Sequence, residues 1–185
     1  MLNINDLKSG LTVKLEGAVY LIVSAEQVKP GKGSAFVRLR LKNMQTGTLI
    51  DRTFRSGEKM EEAFVSERKV QYLYRSGDAF HFMDTQTYEQ LEVNRSHLRD
   101  SERFLKENTV VSLIEYESQV LDVKLPLFVE LKVVQAEPGL RGDTAKGGNK
   151  LATIETGAAI QVPLFVQEGD IVKIDTRTGS YAGRV

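Results

Sequence analysis

The sequence predicts an all-β protein, and three observations carry that reading. Apolar residues recur at every second position, as in Val37-Arg38-Leu39-Arg40-Leu41-Lys42, which sets three apolar side chains on one strand face and three cations on the other. Turn signals cut these runs at short intervals: Glu16-Gly17, Pro30-Gly31, Thr46-Gly47, Ser56-Gly57 and Gly77-Asp78. Helical spacing is confined to Ser96 to Glu107, with Leu98, Phe104 and Leu105 on one stripe, and to the shorter Glu58 to Phe64, with Met60, Ala63 and Phe64 on one side.

Taken in order, Thr12 to Glu16 and Ala18 to Val28 form a hairpin around Glu16-Gly17. The chain then reverses at Lys29-Pro30-Gly31-Lys32-Gly33-Ser34 into a strand from Ala35 to Leu41. Proline presets φ for the second position of a turn, and Gly31 is expected to take the positive φ that a type II turn needs next, which sets Lys32 at the tip. A strand over Leu49 to Phe54 ends at Ser56-Gly57, and several short strands within about 60 residues suggest a small barrel. The second β set begins at Phe64. Val70, Tyr72 and Tyr74 are expected on one face, Phe80 and Phe82 on one face, and Leu91 and Val93 follow. The helical stretch, ended by Asn108, precedes strands at Val110 to Tyr116 and Val120 to Leu125. Three strands, a helix and two strands is the order of an oligonucleotide-binding (OB) barrel. Pro126 is a natural seam, because proline cannot donate to a central ladder. The last segment has strands at Phe128 to Val134, Leu151 to Glu155, Ala159 to Pro163, Asp170 to Asp175 and Tyr181 to Val185, with a long loop from Pro138 to Lys150. The domains are accordingly drawn at 1–63, 64–127 and 128–185.

Composition excludes more than it names. The 185 residues are 41% apolar and 27% charged, ordinary for a soluble globular protein of one or two domains. With no cysteine there is neither disulfide nor thiolate chemistry, and two histidines do not make a zinc site. Apolar runs are far short of a membrane span, and charges from Asp6 onward interrupt any signal-peptide core, so a cytoplasmic protein is expected. The 25 basic and 25 acidic residues balance overall but not locally. Residues 1 to 63 hold 10 Lys and Arg against 7 acids, 64 to 127 hold 8 against 11, and 128 to 185 hold 7 against 7. The segment bearing the tip is the positive one, and its strand cations Arg38, Arg40 and Lys42 suit either a solvated face or contacts to phosphate. The loop from Pro138 to Lys150 has three cations against one acid and four glycines, which suits either a sugar-phosphate contact or a mobile connection.

No catalytic constellation is present. Gly31-Lys32-Gly33-Ser34 lacks the first glycine of a phosphate-binding loop, and a strand follows it where that motif needs a helix. Ser96, His97 and Asp100 on one short stretch cannot line up as nucleophile, base and orienter. Glu61 and Glu62 are adjacent and point apart. Arg141-Gly142-Asp143 would mean adhesion only in a secreted protein. Lys32, flanked by glycines and exposed, is a charge on a long stem and a target for covalent modification, but a poor general base.

The tip Lys29-Pro30-Gly31-Lys32-Gly33-Ser34-Ala35-Phe36 resembles the modified-residue loop of the bacterial elongation factor P family. Lys150 through Glu155-Thr156-Gly157, Val162-Pro163-Leu164-Phe165-Val166 and Gly169 resembles that family's C-terminal signature, and Asp175-Thr176-Arg177-Thr178-Gly179-Ser180-Tyr181 its closing segment. Arg52-Thr53-Phe54, Ser56-Gly57-Glu58-Lys59 and Tyr72-Leu73-Tyr74 extend the likeness along the whole chain.

The resemblance implies three small β-barrel domains, an N-terminal SH3-like (KOW-like) barrel and two OB-fold barrels, L-shaped and tRNA-like in outline. It implies no enzyme and no cofactor, but a monomeric factor that binds both ribosomal subunits between the peptidyl and exit tRNA sites and relieves stalling at consecutive prolines. Lys32 would reach the end of the peptidyl-tRNA, with Lys29, Pro30, Gly31 and Gly33 shaping the loop. Arg141, Gly142, Asp143 and Thr144 match the loop that lies near the exit-site mRNA codon in this family. Tyr181 and Arg184 would lie near the small subunit and anticodon stem. Lysine at the tip implies a lysyl or amino-alcohol extension added by a modifying enzyme, or none. The alternatives are a paralogue with another ribosomal role and a general single-stranded RNA-binding OB protein whose platform is Tyr72, Tyr74, Phe80 and Phe82.

Overall fold

Alternation organises the chain as expected. The computed structural model describes residues 1–31, 33–138 and 148–185, and among them every regular element is a strand or a short 3-10 turn. The first sheet contains β1 (Leu2–Asn3), β2 (Thr12–Leu15), β3 (Ala18–Val28), β4 (Phe36–Asn43), β5 (Leu49–Arg55) and β6 (Lys59–Glu62), in the order β1-β6-β2-β3-β4-β5. The second contains β7 (Ser66–Ser76), β8 (Ala79–Asp84), β9 (Gln90–Asn94), β10 (Val110–Tyr116) and β11 (Gln119–Lys124), in the order β11-β10-β7-β8-β9. The third contains β12 (Phe128–Ala136), β13 (Asn149–Ile154), β14 (Ala159–Pro163), β15 (Ile171–Asp175) and β16 (Ser180–Arg184), in the order β14-β13-β12-β15-β16. The chain groups into two compact units, residues 1–67 with 114–122 and residues 68–113 with 123–185.

In the first unit, the inward faces of β3 and β4 meet the opening segment of the chain. Ile4, Leu7, Val13, Ile22, Val37, Leu39, Leu41 and Met60 form one buried cluster. Glu16 and Gly17 both take positive φ, at 51° and 83°, so the β2–β3 turn has the twist that a two-residue hairpin requires. Glu58 to Phe64 is not helical. Residues 59–62 are β6, paired with β1 through Leu2↔Met60 and with β2 through Val13↔Glu62. Met60 and Ala63 are buried as expected, but Phe64 is 79% exposed, because the segment follows strand pairing and Phe64 lies beyond its end.

Two further expectations change in the second sheet. An extra residue, Leu73, enters the β7–β8 ladder between Tyr72↔Phe82 and Tyr74↔His81. Tyr74 therefore leaves the face of Val70 and Tyr72, becomes exposed, and stacks on His81 with ring centroids 4.4 Å apart. Tyr72, Phe80 and Phe82 are buried against one another, which removes them as a stacking platform for bases. The stretch from Ser96 to Glu107 forms two 3-10 turns, Arg95–His97 and Arg99–Phe104, in place of a helix. Arg99 takes φ 47°, which breaks helical continuity, and Asn94 caps the first turn by accepting a hydrogen bond from Ser96 N. Asn108, at φ 67°, sits in the turn before β10.

The second 3-10 turn reaches into the core of the third sheet. Phe104 is buried with Leu131, Val133, Ile154, Val162, Val172 and Ile174. Thr156 Oγ1 donates to the Arg103 carbonyl at 2.6 Å, and Lys106 Nζ meets Glu155 Oε1 at 3.0 Å, the same oxygen that accepts Lys132 N at 2.8 Å. Burial pushes the Glu155 carboxyl up, but those two donors outweigh it and hold the group below its ordinary value. Gly179, at φ 70°, lies so close to the Phe104 ring that a Cβ there would sit 3.2 Å from Cζ. Truncation of Phe104 leaves a cavity that the sheet cannot close. Phe104→Ala is expected to cost about 3–5 kcal/mol in denaturant unfolding, with the loss absent from Tyr74→Ala on the exposed face.

Candidate functional site

The hairpin of β3 and β4 is the longest in the first sheet, running in register from Tyr20↔Asn43 to Val28↔Phe36 with a bulge at Val23. Burial of Val37, Leu39 and Leu41 fixes which face of β4 points inward, so the pairing cannot slip by one residue without burying Arg38, Arg40 and Lys42. Beyond Val28↔Phe36 the chain leaves the ladder. Lys29, Pro30, Gly31, Gly33 and Ser34 are exposed. Lys32 lies outside the described residues, as do Arg141, Gly142, Asp143 and Thr144.

Positive φ in this loop falls on Gly33, at 115°, and not on Gly31. The type II turn expected over Pro30-Gly31 is therefore not formed. Seven residues separate the last ladder pair, so the reversal need not be completed within two of them. The Pro30 ring folds toward Gly33, its Cγ 3.8 Å from where a Cβ on Gly33 would stand. That backbone region is essentially reserved for glycine.

Arg38, Arg40 and Lys42 lie exposed along β4 behind the tip. Glu26 and Thr53 flank Arg38 in the ladder, and Ser24 and Asp51 flank Arg40, yet none of the three cations makes an ion pair among the described residues. The row sets three cations beside two exposed carboxylates, Glu26 and Asp51, which leaves it modestly positive, with an attraction for phosphate that falls with added salt. Among the described residues no group of three or more His, Asp or Glu side chains could hold a metal ion, and no helix is long and apolar enough to cross a membrane.

In the second unit, Tyr181 and Arg184 lie on β16. Tyr181 packs partly buried on the third sheet's core, and Arg184 is exposed, with its guanidinium over the Phe165 ring at 5.7 Å and Nη1 3.7 Å from Asp170 Oδ2. The turn before β16 is pinned by Asp175. Its carboxylate accepts Arg177 Nη2 at 2.7 Å, Arg177 N at 2.9 Å and Arg177 Nε at 3.2 Å. A feature that sequence reading missed is the bridging of Arg75 and Arg95 by Glu102, at 2.7 and 2.6 Å. It borders a shallow cleft of about 400 Å³ lined by Arg99, Arg103 and Thr156.

The Arg177 guanidinium beside Asp175 lowers that carboxyl from its ordinary 3.8 to about 2. A carboxyl with a depressed folded-state pKa adds stability above its unfolded pKa and loses it as pH falls toward the folded one. Thermal unfolding of wild type and Asp175→Asn is therefore expected to differ at neutral pH and to converge between pH 3.8 and about 2.

Comparison with known proteins follows the same three sheets. Family models described as the elongation factor P KOW-like domain, the elongation factor P OB domain and the elongation factor P C-terminal domain match residues 3–60, 65–123 and 129–184. A protein named elongation factor P from Moorella thermoacetica is 53% identical over 184 residues, covering all of both chains. Another of that name from Coprothermobacter proteolyticus is 51% identical over 185 residues, again covering all of both. Among solved structures, eukaryotic translation initiation factor 5A from Methanococcus jannaschii superposes with a TM-score of 0.57 at 28% identity, covering 68% of this chain and 92% of that one. With half its residues shared from end to end and each sheet matched in order, the chain belongs to the elongation factor P family and is a translation elongation factor.

Proposed function

We propose that this protein binds the ribosome between the peptidyl and exit tRNA sites and stimulates peptide bond formation at consecutive prolines, acting through the Lys32 loop. The observation that carries the reading is the likeness to proteins named elongation factor P over the whole chain. A prolyl donor or acceptor is ring-constrained and samples reactive geometry poorly, so a factor that orients the peptidyl-tRNA end recovers rate without an acid or base of its own. The tip suits that role. It is a charged stem on a loop bent by Pro30 and Gly33, carried by a hairpin whose register the core enforces.

In this reading Lys32 approaches the end of the peptidyl-tRNA and Lys29 adds a second charge, while Pro30, Gly31 and Gly33 shape the loop. Arg141, Gly142, Asp143 and Thr144 face the exit-site mRNA codon. Tyr181 and Arg184 approach the small subunit and anticodon stem, with Arg184 oriented by Asp170 and Phe165. The protein works as a cytoplasmic monomer without a cofactor, and Lys32 acts either extended by a modifying enzyme with a lysyl or amino-alcohol group or unmodified. The mass of the Lys32 peptide from native protein reads that modification directly.

The deciding experiment is cell-free translation of a reporter with consecutive prolines. Wild type is expected to raise full-length product, and Lys32→Ala to lose that stimulation with unchanged thermal unfolding. Stimulation by Lys32→Ala equal to wild type overturns the role of the tip.

A further inference from the structure

We infer that Asn5 is a positioning residue that latches the two feet of the tip loop together and so sets the direction in which the tip projects; the functional half of this inference rests on the reading above. Asn5 belongs to the 3-10 turn Ile4–Asp6, far from the tip in sequence. The turn is fixed from beneath by Ile4, which is 1% exposed, and by Ile4 N donating to the Glu58 carbonyl at 2.9 Å. It is fixed from within by Asn3 Oδ1, which accepts Asn5 N at 3.0 Å. Asn5 is thus held before it touches the hairpin.

From that anchor it reaches both arms. Its carbonyl accepts Gln27 Nε2 at 2.7 Å, and Gln27 directly precedes Val28, the last ladder residue of β3. Its side-chain amide exchanges two hydrogen bonds with Ser56: Nδ2 donates to Oγ at 2.9 Å, and Oγ donates to Oδ1 at 3.1 Å. Ser56 N donates in turn to the carbonyl of Ala35 at 3.0 Å, and Ala35 directly precedes Phe36, the first ladder residue of β4. The path Gln27, Asn5, Ser56, Ala35 therefore closes across the mouth of the loop, independently of the β3–β4 ladder.

The placement matters because hairpin ends fray. The ladder alone would leave Val28↔Phe36 as the terminal, most easily opened pair, and any opening there would swing the whole loop. The latch ties that pair to a turn anchored by the buried Ile4. None of its three side chains is itself core, since Gln27 and Ser56 are exposed and Asn5 is half-buried. Its loss should loosen the tip and leave the fold intact.

The test compares wild type, Asn5→Ala, Ser56→Ala and the double variant by amide hydrogen exchange and in the consecutive-proline translation assay. Exchange across residues 28–36 is expected to speed up roughly five- to tenfold in each single variant, with core amides such as Leu39 and Val13 unchanged. The double variant should add little, because both changes break the same link. The maximal rate of proline-containing product should fall by a similar factor, with the concentration of protein at half-saturation of ribosomes unmoved; a variant that merely folded badly would move that concentration instead. Wild-type protection of 28–36 in Asn5→Ala overturns the latch, and so does a loosened loop with an unchanged maximal rate. A wild-type protein without effect on proline synthesis overturns the reading of the tip, and the exchange pattern then still decides whether the latch exists.

Discussion

The inward row Val37, Leu39 and Leu41 is the constraint on which the first unit depends. Because side chains alternate along a strand, burying these three commits Arg38, Arg40 and Lys42 to water, and a shift of one residue would reverse both assignments. The cost of burying three unpaired cations makes that shift inaccessible. One apolar row therefore settles three things together: the register of the longest hairpin, the distance at which its loop leaves the ladder, and the side of the sheet that carries the β4 cations.

Much of this was legible in the sequence, for a physical reason. Period-2 burial and glycine turns are local signals, and they located nearly all the strands, the Glu16-Gly17 turn and the exposed tip. What was not legible depends on partners distant in the chain. Met60 and Ala63 stand at helical spacing, yet β6 exists because β1 and β2 offer it ladders on both sides. Leu73 looks like any strand residue, and only the pairing of Tyr72 with Phe82 and of Tyr74 with His81 exposes it as an insertion that turns one tyrosine outward. The stretch from Ser96 to Glu107 had the stripe of a helix but is too short to hold one by itself, and the demands of Leu98 and Phe104 on their surroundings favour two tight turns instead. The positive φ moved from Gly31 to Gly33 because loop length, not the Pro-Gly pair alone, dictates where the chain reverses.

The charges divide along similar lines. In the second unit Arg75, Arg95, Arg177 and Arg184 each have a carboxylate within 4 Å, and Lys106 meets Glu155. Their basic members are exposed while their carboxylates are largely covered, and the pairs orient turns and strand ends. The cations of β4 have no such partners among the described residues. A chain with equal numbers of acids and bases can still present a modestly positive face, because neutrality is a property of the sum and binding is a property of the surface.

Phe104 gives the second unit a character that its sequence conceals. The ring comes from the turn that closes one sheet and completes the interior of the next, while Thr176 Oγ1 reaches back to the Pro126 carbonyl at 2.7 Å. Residues 128–185 without Phe104 would lack one of the side chains that fill their core. The stretches on either side of Pro126 are consequently joint owners of one interior, and change in either is accepted only on terms the other can meet.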